Sequence, residues 1–287
     1  MASLDPRLVE SAVSAALAED LGERGDITSA ATIPPDAVAT ATFAARKSGV
    51  IAGLLLAETA FRLCDTTVLF ERLCSDGDRI AAGGEIARVS GNARAVLAAE
   101  RVALNYLCRL SGIATATRAL VDAVAGTSAV ILDTRKTTPG LRAFEKYAVV
   151  CGGGRNHRFG LYDAILIKDN HIAVAGGVAE AIRRARAHAP GVPLEIEVAS
   201  LAELAEALTE APDIVMLDNM AVGDMKTAVR RVAGRAKLEA SGNVTVSTVG
   251  EIAATGVDYI SSGWLTHSAP ALDIGLDVVV SPLPAVR

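Results

Sequence analysis

Six short apolar runs in the second half of the chain each hand over to polar groups that can bind or react. Ala129 to Leu132 is followed by Asp133, Thr134, Arg135 and Lys136, and Ala164 to Ile167 by Lys168, Asp169, Asn170 and His171. Leu194 to Val198 carries Glu197, and Ile214 to Leu217 leads into Asp218 and Asn219. Ala236 to Leu238 runs on to Ser241, Gly242 and Asn243, and Tyr259 to Ser261 to Ser262 and Gly263. The order is basic, basic, acid, acid, small polar, small polar. One charge after a strand is commonly the start of a solvated loop. Six polar ends in order, on runs that otherwise read apolar, point to a shared ligand.

The residue types say what kind of ligand. Arginine forks match carboxylate and phosphate oxygens two at a time, and lysine adds a compact charge. At an effective dielectric near 20, one charge pair about 4 Å apart is worth roughly 4 kcal/mol before desolvation. Converging cations therefore repel when empty and favour a small, multiply charged anion. Glu197 and Asp218 have the hard oxygens that suit Mg²⁺ bridging phosphates, or a developing cation. The small residues after the last two runs let backbone N–H groups approach a phosphate. Between the first two runs, Gly152-Gly153-Gly154 delivers Arg155, Asn156, His157 and Arg158 beside the cations, and His157 has a donor for a carboxylate. Arg101, in AAERVALNYL, reads by itself as a surface or interface charge. His171 and His267 read as structural, and His188 as a surface residue.

The elements that must position these groups follow from periodicity. Helical segments at Val178 to His188, Leu201 to Leu208, Val222 to Val232 and Val246 to Ala254 separate the later apolar runs, the signature of a parallel sheet with helices outside. No GxGxxG follows the first strand, so a barrel with about six visible strands is expected over 113–271 in place of an open doubly wound sheet, with its chemistry at the C-terminal strand ends. The first part, 1–112, reads as a small α+β domain, to which a strand within 272–287 returns. It holds a helix from Leu8 to Leu21, strands at Ala39 to Arg46, Val68 to Leu73 and Glu85 to Val89, and a helix from Leu54 to Leu63. A long helical stretch from Ala93 to Val124 is expected to break near Ser111-Gly112.

Composition narrows the class. Of 287 residues, 51% are hydrophobic and only 3% aromatic, which suits packed helices on buried strands and not a base-stacking surface. Asp plus Glu outnumber Lys plus Arg by 33 to 28, a net charge of −5 that argues against nucleic-acid binding. The four cysteines form no CxxC pair and read as packing thiols of a reduced compartment. No signal peptide or bilayer-length run is visible, so a cytoplasmic protein without membrane contact is expected.

Taken together, Asp133-Thr134-Arg135-Lys136-Thr137, Asn156-His157-Arg158, Ile167-Lys168-Asp169-Asn170-His171, Glu195-Ile196-Glu197, Leu217-Asp218-Asn219, Glu239-Ala240-Ser241-Gly242 and Leu265-Thr266-His267-Ser268 resemble the quinolinate phosphoribosyltransferase family. The likeness runs from Leu8 to Asp277, and it implies an N-terminal α/β open sandwich domain over 1–112, completed within 272–287, plus an incomplete six- or seven-stranded α/β barrel over 113–271. It implies that quinolinate and 5-phosphoribosyl-1-diphosphate are converted to nicotinate mononucleotide, diphosphate and CO₂, with Mg²⁺, on the route to NAD. It further implies that Thr134, Arg135, Lys136, His157, Arg158 and Lys168 hold the dicarboxylate and neighbouring phosphate oxygens. Lys136, Glu197 and Asp218 would be catalytic, with Glu197 and Asp218 toward the ribose and Mg²⁺. Ser241, Gly242, Asn243, Ser262 and Gly263 would cradle the 5-phosphate. Trp264, the single tryptophan, stands beside that cradle where a smaller residue is expected. Arg101 would reach the site from the partner subunit of a homodimer, itself able to build a hexamer. Two alternatives stand beside this reading. One is a phosphoribosyltransferase-like protein of metal-uptake operons, against which the Lys168 to His171 string argues. The other is a Schiff-base barrel lyase using Lys168 or Lys136.

Overall fold

The computed structural model describes residues 4–280. They cluster into two compact units. The first takes the chain through Ala116, Ala143–Gly153 and the residues from Ala269 onward; the second takes Thr117–Arg142 and Gly154–Ser268.

The first unit opens with α1 (Pro6–Leu21) and α2 (Ile27–Thr32). Asp5 caps α1 by accepting from Arg7 N at 2.9 Å, Pro6 occupies the first turn, and Gly22 ends the helix at φ +50°. Then come β1 (Val38–Ala45), β2 (Gly49–Val50), α3 (Leu54–Cys64), β3 (Leu69–Arg72), β4 (Arg79–Ile80), β5 (Glu85–Asn92) and α4 (Ala93–Ala123), whose last turns fall in the second unit. The main sheet has the order β12-β1-β5-β3, where β12 (Ile274–Val280) is the last strand among the described residues. β1 pairs antiparallel with both neighbours, from Ala39↔Val280 to Ala45↔Ile274 on one side and from Val38↔Asn92 on the other. β2 and β4 form a separate pair. Phe43 of β1 meets Phe61 of α3 edge to face at 5.9 Å, and both are buried. The strand expected within 272–287 is β12, and 281–287 lie outside the described residues.

The long helix differs from expectation. α4 runs unbroken through Ser111 and Gly112. Neither residue relaxes the helix; each lets another backbone come close. Ser111 Oγ accepts from Ala52 N at 3.0 Å and donates to Ala52 O at 3.2 Å. A Cβ on Gly112 would lie 2.1 Å from Pro270 O. The signal that reads as a helix breaker is here a packing contact, which sequence spacing does not separate from a break.

The second unit has six parallel strands: β6 (Val130–Leu132), β7 (Ile165–Ile167), β8 (Leu194–Val198), β9 (Ile214–Asp218), β10 (Lys237–Ser241) and β11 (Tyr259–Ser261). Between β6 and β7 the chain passes through α5 (Arg142–Cys151), all but its first residue in the first unit. The other helices are α6 (Asp169–Ala175), α7 (Val178–His188), α8 (Leu201–Ala207), α9 (Val222–Val232), α10 (Val249–Ala253) and α11 (Trp264–His267). The sheet order β6-β11-β10-β9-β8-β7 is that of an α/β barrel interrupted between its first and second strands. The segment after α5 fills the interruption. Arg155 N donates to Ile131 O at 2.9 Å, and Asp133 N donates to Arg155 O at 3.2 Å, a single parallel bridge to β6. The glycine run is therefore the hinge that brings a strand substitute into the barrel wall.

The described cysteines are all free. Burial pushes the Cys74 thiol up to about 11 and Cys151 up to about 12, so both are inert packing groups. No helix of the described residues is long and apolar enough to cross a membrane.

Replacing an exposed helical Gly by Ala gains about 1 kcal/mol in propensity. Gly112→Ala is expected to do the opposite, losing roughly 1–3 kcal/mol by overpacking against a backbone oxygen. The urea midpoint checks this, and a variant as stable as the parent would count against the close approach.

Candidate functional site

Alternate residues of a barrel strand face its interior. Leu166 and Lys168 thereby reach inward at β7, Glu197 at β8, Met216 and Asp218 at β9, Glu239 and Ser241 at β10, and Ser261 at β11. With Thr134, Arg135, Lys136, His157, Arg158 and Asn219 they line one cavity of about 540 Å³ at the C-terminal strand ends.

One wall is basic. Arg135 Nε is buried and makes no hydrogen bond. Burial and the nearby Arg135 both push the Arg158 pKa down, partly opposed by Glu195. That is the repulsion expected of cations gathered without their anion. Thr134 Oγ1 accepts from Lys136 N at 3.0 Å and Thr266 Oγ1 donates to Lys136 O at 2.7 Å, which fixes the turn after β6. A Cβ on Gly263 would lie 2.8 Å from Lys136 Cδ, so this glycine makes room for the lysine stem.

The facing wall is acidic. Lys168 Nζ donates to Glu197 Oε2 in a close, half-exposed ion pair. The two sub-sites read from the sequence are thus bridged by an internal salt link. Asp218 Oδ2 accepts from Asn219 Nδ2 at 2.9 Å, and Asn219 Oδ1 accepts from Asn243 Nδ2 at 3.2 Å. Both asparagines sit at φ +51°, a left-handed conformation that asparagine tolerates better than most residues. Gly242, at φ +100°, passes so close that a Cβ would meet Asn219 Oδ1 at 2.1 Å. Gly242 and Asn243 therefore pack on Asn219, which in turn donates to Asp218.

Beneath this lies a buried polar layer. Asp133, wholly buried, accepts from His157 N at 2.9 Å. Arg158 N donates to His157 Nδ1 at 2.8 Å, so the ring hydrogen is on Nε2, which points at Glu195 Oε2, 2.8 Å away. Glu239 Oε2 is 3.6 Å from the same nitrogen, and its carboxyl is wholly buried with neither oxygen hydrogen-bonded. These three residues have the grouping of a metal site, with ligand atoms within 4.8 Å of one another. The tautomer argues against one, because a protonated Nε2 has no lone pair to give. A proton balances the acid pair instead. Burial first, and then the Glu195 charge, push the Glu239 carboxyl up to about 8. Below this layer a second cavity of about 270 Å³ opens among the N-terminal strand ends, lined in part by Ile165, Leu194, Ile214 and Tyr259.

Of the residues picked from the sequence, the cavity gathers Thr134, Arg135, Lys136, His157, Arg158, Lys168, Glu197, Asp218 and Ser241. Gly242, Asn243, Ser262, Gly263 and Trp264 flank it without lining it, and Arg101 is an exposed residue of α4 in the first unit. Ser262 N donates to Leu132 O at 3.0 Å and is buried between strands. His157 has both ring nitrogens engaged, Nδ1 by Arg158 N and Nε2 by Glu195. Glu239, Glu195, Asn219 and Ser261 were not picked. Their signal was parity, since Glu195 shares a strand face with Glu197, and Glu239 with Ser241.

Comparison with known proteins places these features. The family model "Quinolinate phosphoribosyl transferase, C-terminal domain" matches residues 113–277, and "Quinolinate phosphoribosyl transferase, N-terminal domain" matches 26–111. A nicotinate-nucleotide pyrophosphorylase [carboxylating] of Mycobacterium leprae is 48% identical over 270 residues, covering 92% of this chain and 94% of that one. The chloroplastic enzyme of that name from rice, Oryza sativa subsp. japonica, is 46% identical over 94% of this chain and 77% of its own length. Among solved structures, NadC from Streptococcus pyogenes superposes with a TM-score of 0.94 at 43% identity, over 98% of this chain and 100% of that one.

A carboxyl held protonated in the fold and ionised once unfolded contributes stability below its unfolded pKa and loses it as pH rises through the folded value. For Glu239 that window runs from 4.5 to about 8. Glu239→Gln is therefore expected to gain stability over the parent between pH 6 and pH 9. Denaturant titrations at both values test it; equal shifts at the two would mean the acid is ionised in the fold.

Proposed function

The chain belongs to the quinolinate phosphoribosyltransferase family, and we propose that it performs the carboxylating pyrophosphorylase reaction for which its relatives are named. Quinolinate and 5-phosphoribosyl-1-diphosphate become nicotinate mononucleotide, diphosphate and CO₂, a step of NAD synthesis. The single observation that carries this to the site is the crowding of Arg135 and Arg158 around one cavity with Lys136 and Lys168.

The residues divide the work. Arg135, Arg158 and Lys136 grip the two ring carboxylates, with Arg158 placed by His157. Lys168 exchanges Glu197 for a ligand oxygen. Departure of diphosphate builds positive charge on the sugar, which Glu197 or Asp218 stabilises. The pyridine nitrogen attacks that carbon from the clamp, and the gain is chiefly one of position. Bond formation makes the nitrogen cationic, and the cationic nitrogen stabilises the electron pair left when the adjacent carboxylate leaves as CO₂. No separate cofactor is needed for that loss.

Glu197 and Asp218 are oxygen donors on one cavity wall, a set that fits Mg²⁺. Bound there, the ion would supply positive charge to the phosphate oxygens. Arg101, exposed on α4, is assigned to the neighbouring copy's site in a homodimer.

Incubation with quinolinate, phosphoribosyl diphosphate and Mg²⁺ is expected to yield equal nicotinate mononucleotide and CO₂, and nicotinate in place of quinolinate should yield neither. Arg135→Ala should lose at least about 2.7 kcal/mol of transition-state stabilisation, roughly a hundredfold in rate. Near-normal turnover of that variant would sink the clamp. Mixing Arg101→Ala subunits with subunits inactivated at Lys136 should recover activity; a mixture as inactive as its parts would argue against shared sites.

A further inference from the structure

The reaction leaves an electron pair on the ring carbon that gave up CO₂, and a proton must take the carboxylate's place. The basic wall is a poor source. Its ammonium and guanidinium groups are committed to carboxylate and phosphate oxygens in the proposed clamp. The Nε2 hydrogen of His157 is in any case directed to Glu195.

Glu239 differs in position and in state. Its carboxyl forms part of the lining of the catalytic cavity yet is wholly buried, and neither oxygen has a hydrogen-bond partner. It also lines the second cavity, on the side of the strand N-termini. The groups around it are Glu195 from β8, His157 from the closing segment, and Ser261 from β11, whose buried Oγ is also unpartnered. Its register partners are Met216 on β9 and Tyr259 on β11. Of these groups only His157 can carry positive charge, and its Nε2 hydrogen is directed to Glu195, so a charge on Glu239 would stand largely uncompensated beside that of Glu195.

We propose that Glu239 is the proton donor of this reaction, protonating the ring carbon as CO₂ departs and recovering its proton from the second cavity. The proposal rests on the pyrophosphorylase reading. The bond between ring carbon and carboxylate breaks, its electron pair stays on the ring carbon, and CO₂ leaves. That pair takes the hydrogen of the Glu239 carboxyl, which becomes a carboxylate. Water entering the lower cavity from solvent returns the proton, so each turnover consumes one solvent proton. The carboxylate form is short-lived because burial and Glu195 both oppose it.

Steady-state kinetics of the wild type, Glu239→Gln and Glu239→Asp test the assignment. The amide keeps the shape and removes the acid, so kcat should fall about a hundredfold, the scale of general acid catalysis. KM for both substrates should stay within about threefold, since the amide leaves the clamp intact. Wild-type kcat should decline on the alkaline side with a midpoint near 8, the value at which this carboxyl gives up its proton. The limb should vanish in the amide variant and persist, at a lower rate, in Glu239→Asp. A packing role would change KM and leave the limb in place. An active wild type beside an amide variant of equal kcat overturns the proton donor alone, as does a wild-type profile flat across the window. A wild type inactive on quinolinate overturns the reading beneath it. Should the amide variant not fold, the wild-type limb and the aspartate variant still decide.

Discussion

The bond from His157 N to the buried carboxylate of Asp133 is the constraint on which the site depends. A wholly buried carboxylate is costly unless its oxygens are satisfied. Here the satisfying donor lies on a segment that belongs to no regular strand. Holding it does three things at once. It seats Arg155 against β6, so the interrupted barrel wall is continuous there. It turns the His157 ring so that Nδ1 faces the backbone and Nε2 faces Glu195. It places Arg158 beside Arg135, where two like charges accept each other's company only for a strongly anionic guest. The hydrogen bonds are individually modest, about 1 kcal/mol net each, but the positions they fix are not interchangeable.

Much of this was legible in the sequence, for a physical reason. Parallel strands buried on both faces read as apolar runs, so the residue that ends each run marks the barrel mouth. That rule found Arg135, Lys136, Lys168, Glu197 and Asp218 without reference to any relative. The six strands appeared with their ends shifted by up to three residues, because hydrogen bonding continues past the last apolar side chain, as from Leu238 to Ser241 on β10.

What was missed has a common cause. Ser111-Gly112 looked like a break because spacing carries no information about Pro270, far along the chain. Periodicity does not mark α5 and α6, which are short and abut the Gly152 and Lys168 motifs. Glu239 and Glu195 were quoted within motifs but given no task, since a charge inside an apolar strand reveals its meaning only once the neighbours across the barrel are known. Gly263, expected beside a phosphate, also leaves space for the Lys136 stem, which spacing along the chain does not reveal. Burial and proximity are properties of the folded chain, and these residues matter through both.

The returning strand β12 has a consequence for how the protein comes into being. β1 lies between β5 and β12, so its backbone groups on one side have no partner until residues near the C-terminus arrive. A nascent chain can assemble α1, α3 and the β1–β5–β3 sheet early, yet it leaves an open sheet edge while the whole barrel is synthesised. Such edges invite pairing with other chains. The late arrival of Ile274–Val280 therefore acts as a clasp that closes the N-terminal sheet. Truncation at the C-terminus would be felt first at the opposite end of the sequence.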